Sequence, residues 1–317
     1  MPRAGLSATA AALVAAGFAR TFPALFVALA AAGALGSGVN SASGRAVMAW
    51  FAASERGFAL GIRQTAVPVG GAVAALVLPR LVNGGHVESA FLLLSGACIV
   101  AAAAGAAVLR DTRSTDAGGV LTRPLRDARL WRLGSASTLL VLAQISLISF
   151  IPLFLHRYRG LSLAQAGAVL ALTQVLGAAG RIVAGWASDR MRARVRLIRF
   201  IALCLVVALL TTALLVDAPL GLLVSALVAA GTLGLSWNGL SFTATVEFAG
   251  HGGSGSAIGF QQTLLSSGAA LAPVGFAAVV AASSWRVAFA LAAMGPALAL
   301  VVLAPLKESR HARAAGL

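Results

Sequence analysis

Acidic side chains are scarce in this sequence. Nine Asp and Glu stand against 24 Lys and Arg in 317 residues, and charged residues make up only 10% of the chain. A soluble domain coats itself with about a quarter charged residues, so an ordinary water-soluble globule is excluded. No acid falls in the middle of a long apolar run; Asp217 and Glu247 lie at the ends of runs. The intramembrane carboxylate relay on which proton-coupled carriers generally depend is therefore not visible here. Cysteine is limited to Cys98 and Cys204, each alone in a separate apolar run, which indicates neither a disulfide framework nor a metal site. His86, His156, His251 and His311 have no ligand spacing. No nucleophile–base pair, metal cluster or phosphate-binding loop supports a membrane-embedded enzyme, and no cofactor is implied.

Apolar residues are abundant instead, at 59%. Runs of about 20 residues recur from end to end, the length that crosses about 30 Å of hydrocarbon. A spanning segment must satisfy its own backbone hydrogen bonds, so the chain is predicted to be an all-α polytopic membrane protein. Ten spans are expected, near 4–20, 23–44, 57–79, 89–109, 134–155, 161–187, 198–216, 219–245, 257–281 and 286–305. A signal peptide is the competing reading of the first, but Arg3 is its only n-region charge and no clear processing site follows.

The net charge of +15 is distributed by side. Along alternating loops, one side collects both termini with Arg3, Arg45, Arg56, the arginines from Arg110 to Arg132 and from Arg190 to Arg199, and Lys307, Arg310 and Arg313. The other side holds Arg20, Arg80, Arg157, Arg159 and Arg286. This asymmetry predicts both termini in the cytoplasm of a multi-pass plasma or inner membrane protein. The basic charge is topological, and no nucleic-acid partner is implied.

The sequence also repeats. At an offset of 198 residues, "GIRQTAVPVGGA" from Gly61 lies over "GFQQTLLSSGAA" from Gly259, aligning Gln64 with Gln262 and Thr65 with Thr263. The same offset pairs Asn40 with Asn238 one span earlier, and Phe91 with Phe289 one span later. Two related halves follow: 1–109 with four spans and 132–317 with six, joined by a polar cytoplasmic linker at 110–131. At this offset nothing in the first half corresponds to residues 132–198. Two N-terminal spans and the loop after them have no counterpart in this sequence, and if the start is misassigned they are expected in frame upstream of Met1.

Residues 185–194, "GWASDRMRAR", resemble the G-x-x-x-D-R-x-G-x-R loop of the major facilitator superfamily, with Arg192 where the pattern has its second glycine. Gly57, Gly61, Pro68, Gly70 and Gly71 resemble the fifth span of that family. The resemblance covers nearly the whole chain and implies twelve spans in two six-helix halves, of which ten are present. It implies secondary transport of a small solute by alternating access, with a coupling ion the sequence does not identify. It also implies gating roles for Gly185, Asp189, Arg190, Gly57, Gly61 and Pro68, with Asp189 latching onto a neighbouring helix end.

Gly57, Gly61, Gln64, Pro68, Gly71 and Ala75 recur at intervals of three and four and form one stripe of small or polar groups. Such a stripe lets helix backbones approach closely. Arg63 and Arg181 lie inside spans, and a central lipid-facing arginine costs around 2.5–3.5 kcal/mol on insertion scales. Gln174, Gly177, Arg181 and Gly185 share one helix face. These arginines are expected to face a cavity with Gln64, Gln174, Asn40, Asn238 and Gln262 and to bind a small organic or inorganic anion through the planar guanidinium. Snorkelling to the interface is the alternative. An arginine in this span also resembles oxalate–formate antiporters, monocarboxylate transporters and nitrate/nitrite porters of the same superfamily. A truncated, non-transporting or accessory membrane protein is the alternative function.

Overall fold

The computed structural model describes residues 2–36, 43, 47, 50–52, 55–82, 86–108, 126–250 and 253–308, and every regular element among them is an α-helix. In chain order these are α1 (Pro2–Gly17), α2 (Phe22–Gly36), α3 (Arg56–Gln64), α4 (Ala66–Val82), α5 (Val87–Val108) and α6 (Ala128–Arg157). Then follow α7 (Leu163–Met191), α8 (Arg194–Leu214), α9 (Leu220–Ser236), α10 (Asn238–Ala249), α11 (Ser254–Ala282), α12 (Trp285–Ala292) and α13 (Met294–Leu303). Among the described residues, eight spans are long and apolar enough to cross a membrane; α1 and α2 are apolar but shorter. Residues 110–125 of the expected linker and Asn40 lie outside the described residues. The helices run past the apolar stretches into charged residues. Thus α6 starts at Ala128, where the Asp127 side chain accepts from Arg129 N (2.9 Å), and α7 continues to Met191.

Three of the expected spans are interrupted: α3 meets α4 at Thr65, α9 meets α10 at Trp237, and α12 meets α13 at Ala293. Proline explains two of the breaks. Pro68 cannot donate to the Gln64 carbonyl four residues back, nor Pro296 to that of Ala292.

Packing divides the chain into two compact units, Met1–Ala46 with Val77–Gly118 and Val47–Leu76 with Gly119–Leu317. In the first, α1 packs on α2 and α5. Thr9 Oγ1 donates to the carbonyls of Gly5 (2.8 Å) and Ala32 (3.3 Å), and Ser95 Oγ to that of Ala10 (3.0 Å). In the second, Leu133, Leu140, Leu147 and Ile151 of α6 meet Ile198, Leu205, Leu227 and Trp237 in a core that excludes solvent. The capping box Ser162–Gln165 starts α7. At the α6–α7 turn, Tyr158 Oη donates to Asp217 Oδ1 (2.7 Å) and Arg286 Nη2 to Asp217 Oδ2 (2.9 Å). These bonds, the tyrosine's first, hold the Asp217 carboxyl below the usual carboxylate range.

Candidate functional site

The centre of the second unit is built where α7 crosses α3. Both helices present small residues at the crossing. A Cβ at Gly61 would come within 2.8 Å of the Arg181 carbonyl oxygen, and one at Gly185 would strike the Gly57 carbonyl. On the other side of α3, a Cβ at Gly239 of α10 would lie 3.2 Å from Gly61 Cα. Further along, Gly71 of α4 gives room to the Gln174 side chain. The stripe read from the sequence is therefore a face packed against α7, with Pro68 also buried. The related face of α11 differs: nothing among the described residues lies within 4 Å of a Cβ at Gly259, and Ser266 is exposed.

Arg181 lies ten residues before the end of α7, about 15 Å at 1.5 Å per residue, and its side chain is 1% exposed. It does not snorkel. Its Nε donates to the Leu235 carbonyl (2.6 Å), one guanidinium nitrogen to the Gln64 carbonyl and the other to Asn238 Oδ1 (3.1 Å). Asn238 Nδ2 donates onward to Gln144 Oε1 (3.0 Å). The Gln64 carbonyl is the one that Pro68 leaves without a helical donor. The Leu235 carbonyl belongs to the last turn of α9, and a side chain inserted there interrupts the helical ladder just before Trp237. Arg181 therefore joins two helix breaks. All three of its acceptors are neutral, and none of the ion pairs among the described residues involves it. A positive charge so buried calls for a negative partner, because unpaired burial costs several kcal/mol.

The other expected residues fall at different distances from this centre. Arg63 is half-buried and donates to Gln64 Oε1 (3.2 Å), so Gln64 touches both arginines, one by its side chain and one by its carbonyl. Gln174 is buried with its Oε1 unbonded among the described residues. Gln262 is half-buried and bonds Ser266 Oγ (3.3 Å) on its own helix, away from Arg181. Its neighbour Gln261 takes the interior position, bonded to Ser137, Ser241 and Thr245. Gln144 was not anticipated, although a lone amide in "LLVLAQISLISF" was a readable signal.

A second cluster lies at the end of α7. Gly57 and Phe58 N–H, in the first turn of α3, donate to Asp189 Oδ1 (3.2 Å) and Oδ2 (2.7 Å). The carboxylate thus caps a helix N-terminus whose own N-cap residue, Glu55, makes no side-chain capping bond. Arg194, not Arg190, pairs with Asp189, and it also reaches Ser188 Oγ and Glu247 Oε1 (3.2 Å). Arg190 is exposed, over the Trp186 ring. Among the described residues, no group of three or more metal-ligating side chains is assembled.

The comparisons agree with this architecture. The profile of the Major Facilitator Superfamily matches residues 3–273. An uncharacterized MFS-type transporter of Mycobacterium tuberculosis (strain ATCC 25618 / H37Rv) is 35% identical over 308 residues, covering 96% of this chain and 69% of the relative. Among solved structures, the E. coli fucose:proton symporter superposes with a TM-score of 0.71 at 17% identity, covering 95% of this chain and 83% of the symporter. The human organic anion transporter TETRAN gives 0.68 at 19% identity, covering 94% and 75%. At those identities the two structures speak for the fold alone. The broken spans, the close-packed glycine crossing, the family profile and the mycobacterial relative lead to one conclusion: the chain belongs to the Major Facilitator Superfamily of transporters.

Proposed function

We propose that this chain moves a small anionic solute across the plasma or inner membrane by alternating access, with Arg181 as the principal anion-binding group. The observation that supports this reading is the buried Arg181 guanidinium, with only neutral acceptors, at the junction of two interrupted spans. Transporters of this kind commonly place substrate sites at discontinuous helices near the bilayer midplane. A guanidinium in a low-dielectric surrounding binds carboxylates and other oxyanions through paired, charge-assisted hydrogen bonds. Gln64, Gln144, Gln174 and Asn238 add amide groups to this region, and Arg63, bonded to the Gln64 side chain, adds a second cation. The halves 1–109 and 132–317 then act as the two moving bodies, with Asp189, Gly57, Gly61, Pro68 and Gly185 at their gate.

The test is thermal unfolding of the purified protein with a panel of small carboxylates and inorganic oxyanions, followed by counterflow of the stabilising anion in proteoliposomes. At least one anion should raise the melting temperature and exchange across the bilayer. A panel in which only neutral or cationic solutes stabilise the protein would end the anion reading. Stabilisation without exchange would favour a non-transporting binding protein.

Orientation has its own check. On a background lacking Cys98 and Cys204, Asp116→Cys and Arg192→Cys should react with an impermeant thiol reagent only after the membrane is opened, whereas Asn83→Cys should react in intact cells. Identical labelling at all three positions would overturn the topology.

A further inference from the structure

Most of the basic charge on the proposed cytoplasmic side has a topological explanation, but one part of it surrounds a cleft. Where α7 turns into α8 and α13 ends, a cleft of about 610 Å³ is lined by Arg192, Arg196, Arg199 and Lys307, with Glu308 and Leu306 among its other walls. Glu308 is committed elsewhere. Its two oxygens accept from Val195 N (3.2 Å) and Arg196 N (2.8 Å) and so cap the start of α8. Arg196, Arg199 and Lys307 take part in no ion pair among the described residues. The lining of the cleft thus carries four basic residues against one acid.

Two further features identify its occupant. From Arg196 at the rim, the same face of α8 continues through Phe200, Leu203, Val207, Leu210 and Leu214, which are all between 44% and 73% exposed. A cationic cleft therefore opens onto an apolar track along the helix, which is the chemistry of an amphiphile and not of a soluble anion. Arg192 adds a second feature. It has a left-handed backbone (φ 49°) at the position where the family loop has glycine. L side chains disfavour that conformation, so an arginine stands here against local backbone preference, in the wall of the cleft.

We propose that this cleft holds the headgroup phosphate of an anionic phospholipid, whose acyl chains lie along the exposed face of α8. Cationic pockets between helices at the membrane surface suit such headgroups, and each Lys or Arg near the surface adds to the attraction. The proposal rests on these helices crossing a bilayer. It is independent of the substrate and of which leaflet the cleft faces.

The experiment is lipid retention by the purified, delipidated full chain, read by native mass spectrometry after exposure to phosphatidylglycerol or phosphatidylcholine. Phosphatidylglycerol should be retained selectively. Arg196→Gln, Arg199→Gln and Lys307→Gln should each weaken retention, by about five-fold per cation removed. Arg157→Gln, at an exposed site at the other end of α6, should leave it unchanged. Arg192→Gly gives effects of opposite sign: the melting temperature holds or rises as the left-handed strain is relieved, while lipid retention falls. Equal retention of the two lipids, undiminished retention by all three glutamine variants of the cleft or by Arg192→Gly, or displacement of the lipid by glycerol phosphate at similar concentration would each overturn the proposal. The last result would make the cleft a site for a soluble anion.

Discussion

Arg181→Gln should abolish anion-dependent stabilisation and counterflow, and Arg181→Lys should weaken both substantially. Lysine keeps the charge but loses the planar fork that serves two oxygens at once. The geometry adds a structural cost to both changes. Arg181 supplies the Gln64 carbonyl, the Leu235 carbonyl and Asn238 Oδ1, and each buried acceptor left without a donor costs about 1–3 kcal/mol. Removing an uncompensated buried charge offsets part of that cost. Stability alone therefore does not separate a substrate role from a structural one, whereas the ligand-dependent shift does. Pro68→Ala is the companion variant. It restores an N–H four residues after Gln64, frees one guanidinium donor, and should leave anion stabilisation intact with the α3–α4 break reduced. Equal stabilisation of wild type, Arg181→Lys and Arg181→Gln by the same anion would remove Arg181 from the site. Arg63→Gln should be milder, because the repeat-related position is already a glutamine, Gln261.

The parts of this arrangement that follow from short-range pattern were legible in the sequence. Apolar runs, side-sorted arginines and an ungapped repeat point to a helical membrane bundle. The spacing of Gly57, Gly61, Gln64 and Gly71 identifies the face that packs on α7. What was not legible depends on helix rotation and on partners distant in sequence. The repeat equates Gln262 with Gln64, yet Gln261 takes the interior position. One difference is that α3 and α4 break at Thr65 while α11 runs unbroken through the same register, so repeat alignment alone does not fix which residue faces inward. The break at Trp237 has no proline behind it and depends on a side chain from another helix. Arg190 adjoins Asp189 in the sequence. In a helix, however, neighbouring residues point about 100° apart, and the pairing goes to Arg194 beyond the left-handed turn at Arg192. Glu247 joins that cluster from α10, and nothing local announces it.

Arg194→Gln should therefore be among the most damaging single substitutions in the chain, while Arg190→Gln should be nearly silent. Arg194 is 5% exposed in its side chain, Asp189 10% and Glu247 16%, so solvent screens the cluster little. Removing one partner of a buried ion pair costs about 3–5 kcal/mol, and here it leaves two carboxylates facing each other without their shared cation. Asp189→Asn should cost less but act differently. A single amide oxygen cannot accept from both Gly57 and Phe58 N–H in the way that two carboxylate oxygens do, and the favourable charge at the α3 N-terminus is lost. If Asp189 holds α3 against the end of α7 in one state of the transport cycle, Asp189→Asn should release that contact before it unfolds the protein. The readout is the labelling rate of Ala184→Cys, a position 7% exposed on α7 near this contact, with the native Cys204 of α8 as internal reference. Faster labelling at position 184 with unchanged labelling of Cys204 is the expected result. Parallel acceleration at both would mean general loosening, and no acceleration at either would mean that the Asp189 bonds are incidental to closure.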